Sequence, residues 1–317
     1  MGAVPGFARR SMKLNLSGIF AALVTPRDQQ GRVDYETFDR VVDFVMRRGI
    51  DGVVVSGATG EYPQLELEER KNLITYAARQ LPRNATLLAC IGSACLSTAL
   101  KLGEHAIQAG SRALLLPAPY FFHYEQHDLS AFCATVAGTL QAPCLLYNLP
   151  SFTNRLETET SIQLLLGEKY IVGIKDSSGD RQSLGRLARA RPKDGFSLIV
   201  GHDALIWEAL AAGWDGIASG IACFLPELLV SHYRAFRAGE EETTRRCQAL
   251  VDELIEEIIK LPTPWGIRLG LEIRGIPTGP LPLPLSAVRR HEIAEFQGWL
   301  RQWLPEHDLA SPAPRQR

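Results

Sequence analysis

The run Tyr170-Ile-Val-Gly-Ile-Lys-Asp-Ser-Ser-Gly-Asp180 delivers a lysine, Lys175, at the end of an apolar stretch and then breaks into turn-forming residues. Such a run reads as a strand buried on both faces, as in a parallel sheet covered by helices. A lysine at its C-terminal end sits between core and solvent, where desolvation disfavours the ammonium form. The neutral amine attacks carbonyl carbon and suits imine formation with an oxo acid. A plainer reading is a lysine that snorkels off the strand end or pairs with Asp176.

A second group joins it. Leu145-Leu-Tyr-Asn-Leu-Pro150 reads as the strand one βα unit earlier, ending at Tyr147. Tyr147 and Lys175 then project at the same end of adjacent strands, ~4.8 Å apart. A phenol there can shuttle protons to a substrate nitrogen and carbonyl. Alone, Tyr147 would read as core; beside Lys175 it reads as chemistry. In Asp51-Gly-Val-Val-Val-Ser-Gly-Ala-Thr-Gly-Glu61, the glycines flanking Ala58 and Thr59 allow a tight turn with inward amides. That makes an anion nest for a carboxylate, with the Thr59 hydroxyl as a further donor. The plainer reading is an ordinary βα loop.

Two further strand ends, Gly201-His-Asp203 and Ala218-Ser-Gly220, carry small residues that leave room above the lysine. Asp203 and Ser219 are candidates for binding substrate hydroxyl groups, and His202 reads as a loop or packing histidine. No HxH or HExxH pair occurs, which disfavours a metal-dependent barrel hydrolase.

These residues need a scaffold that brings strand ends together. Short apolar runs at Gly18–Val24, Gly52–Val55, Thr86–Cys90, Ala113–Leu116, Cys144–Tyr147, Ile171–Lys175, Ser197–Val200 and Gly216–Ser219 alternate with helical patterns. Alternation implies parallel strands with right-handed crossovers, and eight of them close an α/β (β/α)8 TIM barrel. An open doubly wound sheet would usually show a Gly-rich turn after the first strand, where this chain has Thr25-Pro-Arg-Asp28. The expected organisation is a leader over 1–13, the barrel over 14–240, a C-terminal helical appendage over 241–305 and a tail over 306–317.

Composition excludes several classes. The 317 residues are 46% hydrophobic and 22% charged with net charge -1, so neither nucleic acid nor an anionic membrane is an expected partner. No apolar run approaches the ~20 residues of a membrane span. Arg9-Arg10 hints at a twin-arginine signal, but Lys13 and Asn15 interrupt the segment after it and Ile19–Val24 is too short for an apolar signal core. The six cysteines show no CxxC pair, so the expectation is reduced thiols and a cytoplasmic location.

With Gly57-Ala-Thr-Gly-Glu61, Tyr147-Asn-Leu-Pro150 and Gly173-Ile-Lys-Asp176 in order at strands two, five and six, the chain resembles the dihydrodipicolinate synthase and N-acetylneuraminate lyase family. The likeness spans nearly all of residues 18–300. It implies a Schiff-base-forming lyase of pyruvate or a 2-oxo acid, with no metal or organic cofactor, often a tetramer built as a dimer of dimers. Carried over by position, Lys175 forms the imine, Tyr147 shuttles protons and Ala58 and Thr59 hold the pyruvate carboxylate. The Ala218 carbonyl lies against the pyruvate.

The departures narrow the substrate. Ala58 stands where the synthase branch has another threonine, and Phe152 where it has an arginine for the aldehyde partner's carboxylate. Pro119-Tyr-Phe121 replaces a Pro-Tyr-Tyr motif that reaches across the dimer. Losing a buried cation opposite a carboxylate costs about 2 to 5 kcal/mol of recognition. Ala204 replaces the acidic residue expected of sialic acid lyases. What remains resembles aldolases or dehydratases of 2-keto-3-deoxy sugar acids, or 4-hydroxy-2-oxoglutarate aldolase, with Ser177 a hydroxyl ligand. Dihydrodipicolinate synthesis is the first alternative; a non-catalytic oxo-acid-binding homologue is the second.

Overall fold

The computed structural model describes residues 14–193 and 195–309; the expected leader and residues 310–317 of the expected tail lie outside the described residues. Eight strands, β1 (Gly18–Ala22), β2 (Gly52–Val55), β3 (Thr86–Cys90), β4 (Ala113–Pro117), β5 (Cys144–Asn148), β6 (Ile171–Asp176), β7 (Ser197–Val200) and β8 (Gly216–Ser219), form a closed barrel in chain order. β1 closes it by pairing in parallel with β8, Ile19 opposite Ile217 and Phe20 opposite Ala218. The (β/α)8 barrel expected from the alternation is present.

Period-two alternation divides the strand side chains between two cores. Ile19, Val53, Leu87, Leu114, Leu146, Leu198 and Ile217 face outward against the helices. Phe20, Val54, Leu88, Leu115, Leu145 and Ile199 fill the interior, and Leu14 and Leu16 join that inner cluster. Leu16 is held there by its amide donating to Ser197 Oγ at 3.0 Å.

In β6 the alternation is broken, and the break decides where the lysine points. Ile171 pairs with Cys144 but the next partner, Leu145, is opposite Gly173, so Val172 is an extra residue in the ladder. Ile171 and Ile174 both face the helices while Val172 faces inward. Strict alternation from Ile171 would have turned Lys175 outward with it. The bulge resets the phase, and Lys175 lies opposite Tyr147. Gly173 is required: a Cβ there would lie 2.5 Å from both Leu145 Cδ2 and Ser197 O.

The helices run α1 (Tyr35–Met46), α2 (Leu67–Gln80), α3 (Leu96–Gln108), α4 (Gln126–Leu140), α5 (Thr158–Gly167), α6 (Arg181–Ala190), α7 (Ile206–Ala211), α8 (Ile221–Phe224) and α9 (Pro226–Ala238) around the barrel. α10 (Glu241–Ile258), α11 (Trp265–Ile273) and α12 (Ala287–Glu306) come after them. The segment after β7 begins as a 3-10 turn, Asp203–Leu205, before α7. α8 escaped the periodicity because all four of its residues are apolar and buried, leaving no polar face to mark a helix.

The C-terminal helices are not peripheral. α10 packs on α9 and on the Asp203–Leu205 turn, and α11 packs on α8. From α11, the buried Arg268 donates to Glu61 Oε2 at 3.1 Å and to the carbonyls of Thr278 and Pro280 at 2.9 and 2.8 Å. That ion pair ties α11 to the turn after β2. Burial raises the Glu61 carboxyl above its ordinary value, and Arg268 opposes the rise.

Candidate active site

Lys175 is 4% exposed and Tyr147 3% exposed. The lysine side-chain nitrogen Nζ lies 3.3 Å from the Tyr147 hydroxyl and 4.4 Å from the centre of the Tyr147 ring. Asp176 is not the lysine's partner. Its carboxylate accepts from the Ser178 amide and hydroxyl and from Asn148 Nδ2 at 2.9 Å. Asn148 Oδ1 in turn accepts from the Leu156 amide at 3.0 Å, fixing the loop after β5. The plainer reading of Lys175, a salt bridge to its neighbour, is therefore excluded. Gly201 lets the lysine pass: a Cβ at that position would sit 2.6 Å from Lys175 Cε and 2.2 Å from Ser177 Oγ.

The turn after β2 begins at Ser56, in the left-handed region at φ 57°, and ends at Glu61 at φ 54°. Within it Glu61 donates to the Ala58 carbonyl at 2.9 Å, while among the described residues the Ala58 and Thr59 amides donate to no backbone carbonyl. They are free to receive an anion. Beneath, the buried Arg70 donates to Ser56 Oγ (2.9 Å), the Gly92 carbonyl (2.7 Å) and the Cys90 carbonyl (2.9 Å), bracing the loop against β3. Arg70 had no signature in the sequence beyond its place on an amphipathic helix.

Ala58, Thr59, Tyr147, Phe152, Lys175, Ser177, Gly201, Asp203 and Ala218 all line one cavity of about 360 Å³. Ser219 does not: it is fully buried behind the cavity, where its hydroxyl accepts from the Ala222 amide at 3.2 Å. The expected hydroxyl ligand is thus a support. Asp203 Oδ1 is buried with no hydrogen-bond partner. Burial pushes its carboxyl up to about 6, opposed by Ser219 and Lys175. His202, read from sequence as a packing residue, lines the cavity, and its Nδ1 lacks a partner. Burial holds that imidazole below its ordinary value, against the pull of Asp176.

The sequence pattern did not reveal the far wall. Ile255, Ile258 and Ile259, with Thr263, Pro264 and Ile267, complete the cavity from α10, α11 and their connection. Ile255 and Ile258 stand four and seven residues after Val251 and continue the buried face of Leu250, Val251 and Leu254, so the local pattern marks them as core and not as cavity wall. A larger groove, about 720 Å³ between α7 and α10, holds neither the lysine nor the tyrosine. Among the described residues no three His, Cys, Asp or Glu side chains gather as a metal site, and no helix is long and apolar enough to cross a membrane.

A closed (β/α)8 barrel presenting a buried amine, an adjacent phenol and free amides at one end defines a barrel of the carbonyl-attacking, lysine-dependent kind. The dihydrodipicolinate synthetase family model matches residues 15–303. The chain is 28% identical to 4-hydroxy-tetrahydrodipicolinate synthase of Bacillus subtilis (strain 168), over 88% of this chain and 96% of that one. It is 30% identical to N-acetylneuraminate lyase of Rhizobium meliloti (strain 1021), over 90% and 94%. Among solved structures, dihydrodipicolinate synthase from Aquifex aeolicus superposes with TM-score 0.86 at 25% identity, covering 93% and 99%. A prophage protein of the same family from E. coli K12, solved in complex with pyruvate, gives 0.84 at 25%, covering 92% and 99%. The chain belongs to the dihydrodipicolinate synthetase family, and with it to the lyases of the class I aldolase type.

Proposed function

We propose that the protein makes and breaks the C3–C4 bond of a 4-hydroxy-2-oxo acid through an imine between Lys175 and the pyruvate half. The 2-keto-3-deoxy sugar acids and 4-hydroxy-2-oxoglutarate both contain that unit. The observation that carries the reading is the buried Lys175 Nζ, 3.3 Å from the Tyr147 hydroxyl and free of Asp176, at the floor of a cavity.

In cleavage, the neutral amine adds to the C2 carbonyl and water leaves, with Tyr147 moving the protons. The Ala58 and Thr59 amides and the Thr59 hydroxyl hold the carboxylate, and the Ala218 carbonyl faces the bound pyruvate. The C4 hydroxyl loses its proton, the C3–C4 bond breaks, and its electrons enter the iminium to give an enamine. An aldehyde departs. Protonation at C3 and hydrolysis then release pyruvate and the amine. The imine is itself the electron sink, so this route needs no metal or organic cofactor. Dehydration of a 2-keto-3-deoxy acid differs only in the bond broken after imine formation.

The test is borohydride reduction with pyruvate and then peptide mapping. A reduced adduct on Lys175 is expected, and its absence in folded protein would sink the reading. A second reading, synthesis of 4-hydroxy-tetrahydrodipicolinate, draws support from the names of the relatives. Phe152, 54% exposed where that activity calls for an arginine, stands against it. Coupled turnover of pyruvate with aspartate semialdehyde decides between them. We also propose a homotetramer whose tight contact uses Phe121 and Phe122, 84% and 62% exposed. Gel filtration as a monomer would refute that assembly.

A further inference from the structure

The cavity changes character with distance from the lysine. Beside Lys175 it is polar, with the Ser177 hydroxyl, the unpartnered Asp203 Oδ1 and the turn amides. Opposite, it is walled by Ile255, Ile258, Ile259, Pro264, Ile267 and Phe152. Two of these begin the far wall close to the pyruvate end. A Cβ on Gly220 would lie 3.3 Å from Thr59 Oγ1 and 3.6 Å from Ile267 Cγ1, so Ile267 stands directly above the carboxylate turn. The Ile258 side chain packs on Gly266, one residue before it.

Charge is equally uneven. The lining holds one carboxylate, Asp203, and no arginine; Lys175 is its only lysine. With Lys175 committed to the imine, His202, whose imidazole burial disfavours in its charged form, is among the described residues the one lining side chain that could still carry positive charge, and the isoleucine wall offers none to a second carboxylate or a phosphate. Asp203 repels either. A chain of hydroxyls laid against the isoleucines would lose its water and find one hydroxyl, that of Thr263, in that wall. Ile255 and Ile258 are half-buried against the core and Ile259, just past α10, is 72% exposed, so apolar surface at this wall is left for a substrate body to cover.

We propose that the aldehyde partner of this enzyme is uncharged, with an aliphatic or aromatic body that packs on the α10–α11 wall while its carbonyl oxygen lies beside Tyr147. The proposal rests on the Schiff-base reading and narrows it: it keeps the 4-hydroxy-2-oxo acid unit but sets aside 2-keto-3-deoxy sugar acids and 4-hydroxy-2-oxoglutarate, whose aldehyde halves are polyhydroxylated or anionic. In the addition direction the enamine C3 forms a bond to the aldehyde carbon, and the aldehyde oxygen takes up a proton from Tyr147 to become the C4 hydroxyl. Water then hydrolyses the imine, freeing the 4-hydroxy-2-oxo acid and Lys175. No oxidant or further reactant enters.

The test has two stages, using the full chain. Pyruvate trapping with borohydride comes first; without it the Schiff-base reading itself falls. Once trapping is seen, pyruvate is offered with isovaleraldehyde, benzaldehyde, glyceraldehyde, glyoxylate or aspartate semialdehyde, and each aldol product is quantified. A kcat/KM for isovaleraldehyde or benzaldehyde at least about tenfold above the other three is the expected result, the low end of what a single methylene discriminates in an apolar pocket. Preference for glyceraldehyde or for either anionic aldehyde overturns the proposal, as does turnover of none of the five in protein that traps pyruvate. Ile258→Asn should lower the ratio of isovaleraldehyde to glyceraldehyde turnover, and Phe152→Arg should raise glyoxylate at the expense of benzaldehyde. An unmoved ratio in both variants would count against the wall as the specificity element.

Discussion

The floor of the cavity and its far wall are built from different materials. Lys175, Tyr147 and Ala218 stand on strands whose partners are fixed by backbone hydrogen bonds, Tyr147 opposite Lys175 in the β5–β6 ladder. The far wall consists of side chains on α10 and α11, helices joined to the barrel by packing and by the Arg268–Glu61 pair. A strand register cannot drift by a fraction of a residue, because one step turns every side chain to the other face. A helix face can be re-lettered without moving its backbone. On the proposed reading chemistry sits where geometry is locked and selectivity where substitution is cheap, so the floor should control the rate and the wall the choice of aldehyde.

The largest expected effect tests that division on the floor. Tyr147→Phe removes the hydroxyl 3.3 Å from Lys175 Nζ and keeps the ring beneath it. Turnover should fall by roughly 10²- to 10⁴-fold, the range for a positioned proton-transfer group. The order of preference among aldehydes should not change. A variant that reverses the preference would break the comparison, since it would place selectivity on the floor as well.

Next in size is the joint between floor and wall. Arg268→Met leaves Glu61 buried without its cation, and breaking such a pair from one side costs about 3–5 kcal/mol. Urea unfolding should show this as a lower midpoint. The deficit has a pH sign. Burial already raises the Glu61 carboxyl, so the folded state is favoured by protonation and loses stability as pH rises through the folded value. The difference between wild type and variant should therefore shrink on acidification. Adding Glu61→Gln to Arg268→Met should recover part of the loss, because no bare charge remains.

Asp203 sits at the seam between the two regions. Its carboxyl, pushed up to about 6 by burial, carries a proton at lower pH and would then accept more weakly from a substrate hydroxyl. The kcat/KM for cleavage should fall about fivefold from pH 6 to pH 5 as that proton binds, approaching tenfold per pH unit below that. Asp203→Asn should remove this limb of the profile while lowering the plateau. Persistence of the limb in the variant would assign it to another group.

The same contrast explains what could be read from the sequence. Strand ends announce themselves: apolar runs close on Lys175, Tyr147 and Thr25-Pro26, and counting runs gives the barrel. Two things were hidden. The Val172 bulge is a matter of pairing, invisible in Ile171-Val-Gly-Ile174, although the direction of Lys175 depends on it. The far wall lies on helices that local pattern treats as an appendage, because nothing in the spacing of Ile255, Ile258 and Ile259 says what they face. Ser219 shows the converse: a serine at a strand end reads as a ligand, yet it is fully buried, its hydroxyl accepting from the Ala222 amide and opposing the burial that raises the Asp203 carboxyl.

The smallest effect belongs to neither region and so bounds them both. Asp180 caps α6, accepting from the amides of Gln182 and Ser183 at 2.9 and 3.1 Å, just after the loop beyond Lys175. Those amides, the Ser183 one foremost, and then Arg155 hold its carboxyl below the ordinary value, with burial opposing them. Asp180→Ala should cost about 1 kcal/mol of stability at neutral pH. The sign comes from the lowered value: the cap is fully present above the ordinary aspartate range and is lost as pH falls through the folded value. Wild type and variant should thus converge in acid, opposite in cause to Glu61, where protonation relieves a buried charge. Neither the turnover rate nor the aldehyde preference should move by more than about twofold, since the cap touches no cavity residue. A larger change in rate would mean that the floor depends on α6 as well as on the strand ladder, and the boundary drawn between rigid floor and exchangeable wall would have to include the first turn of that helix.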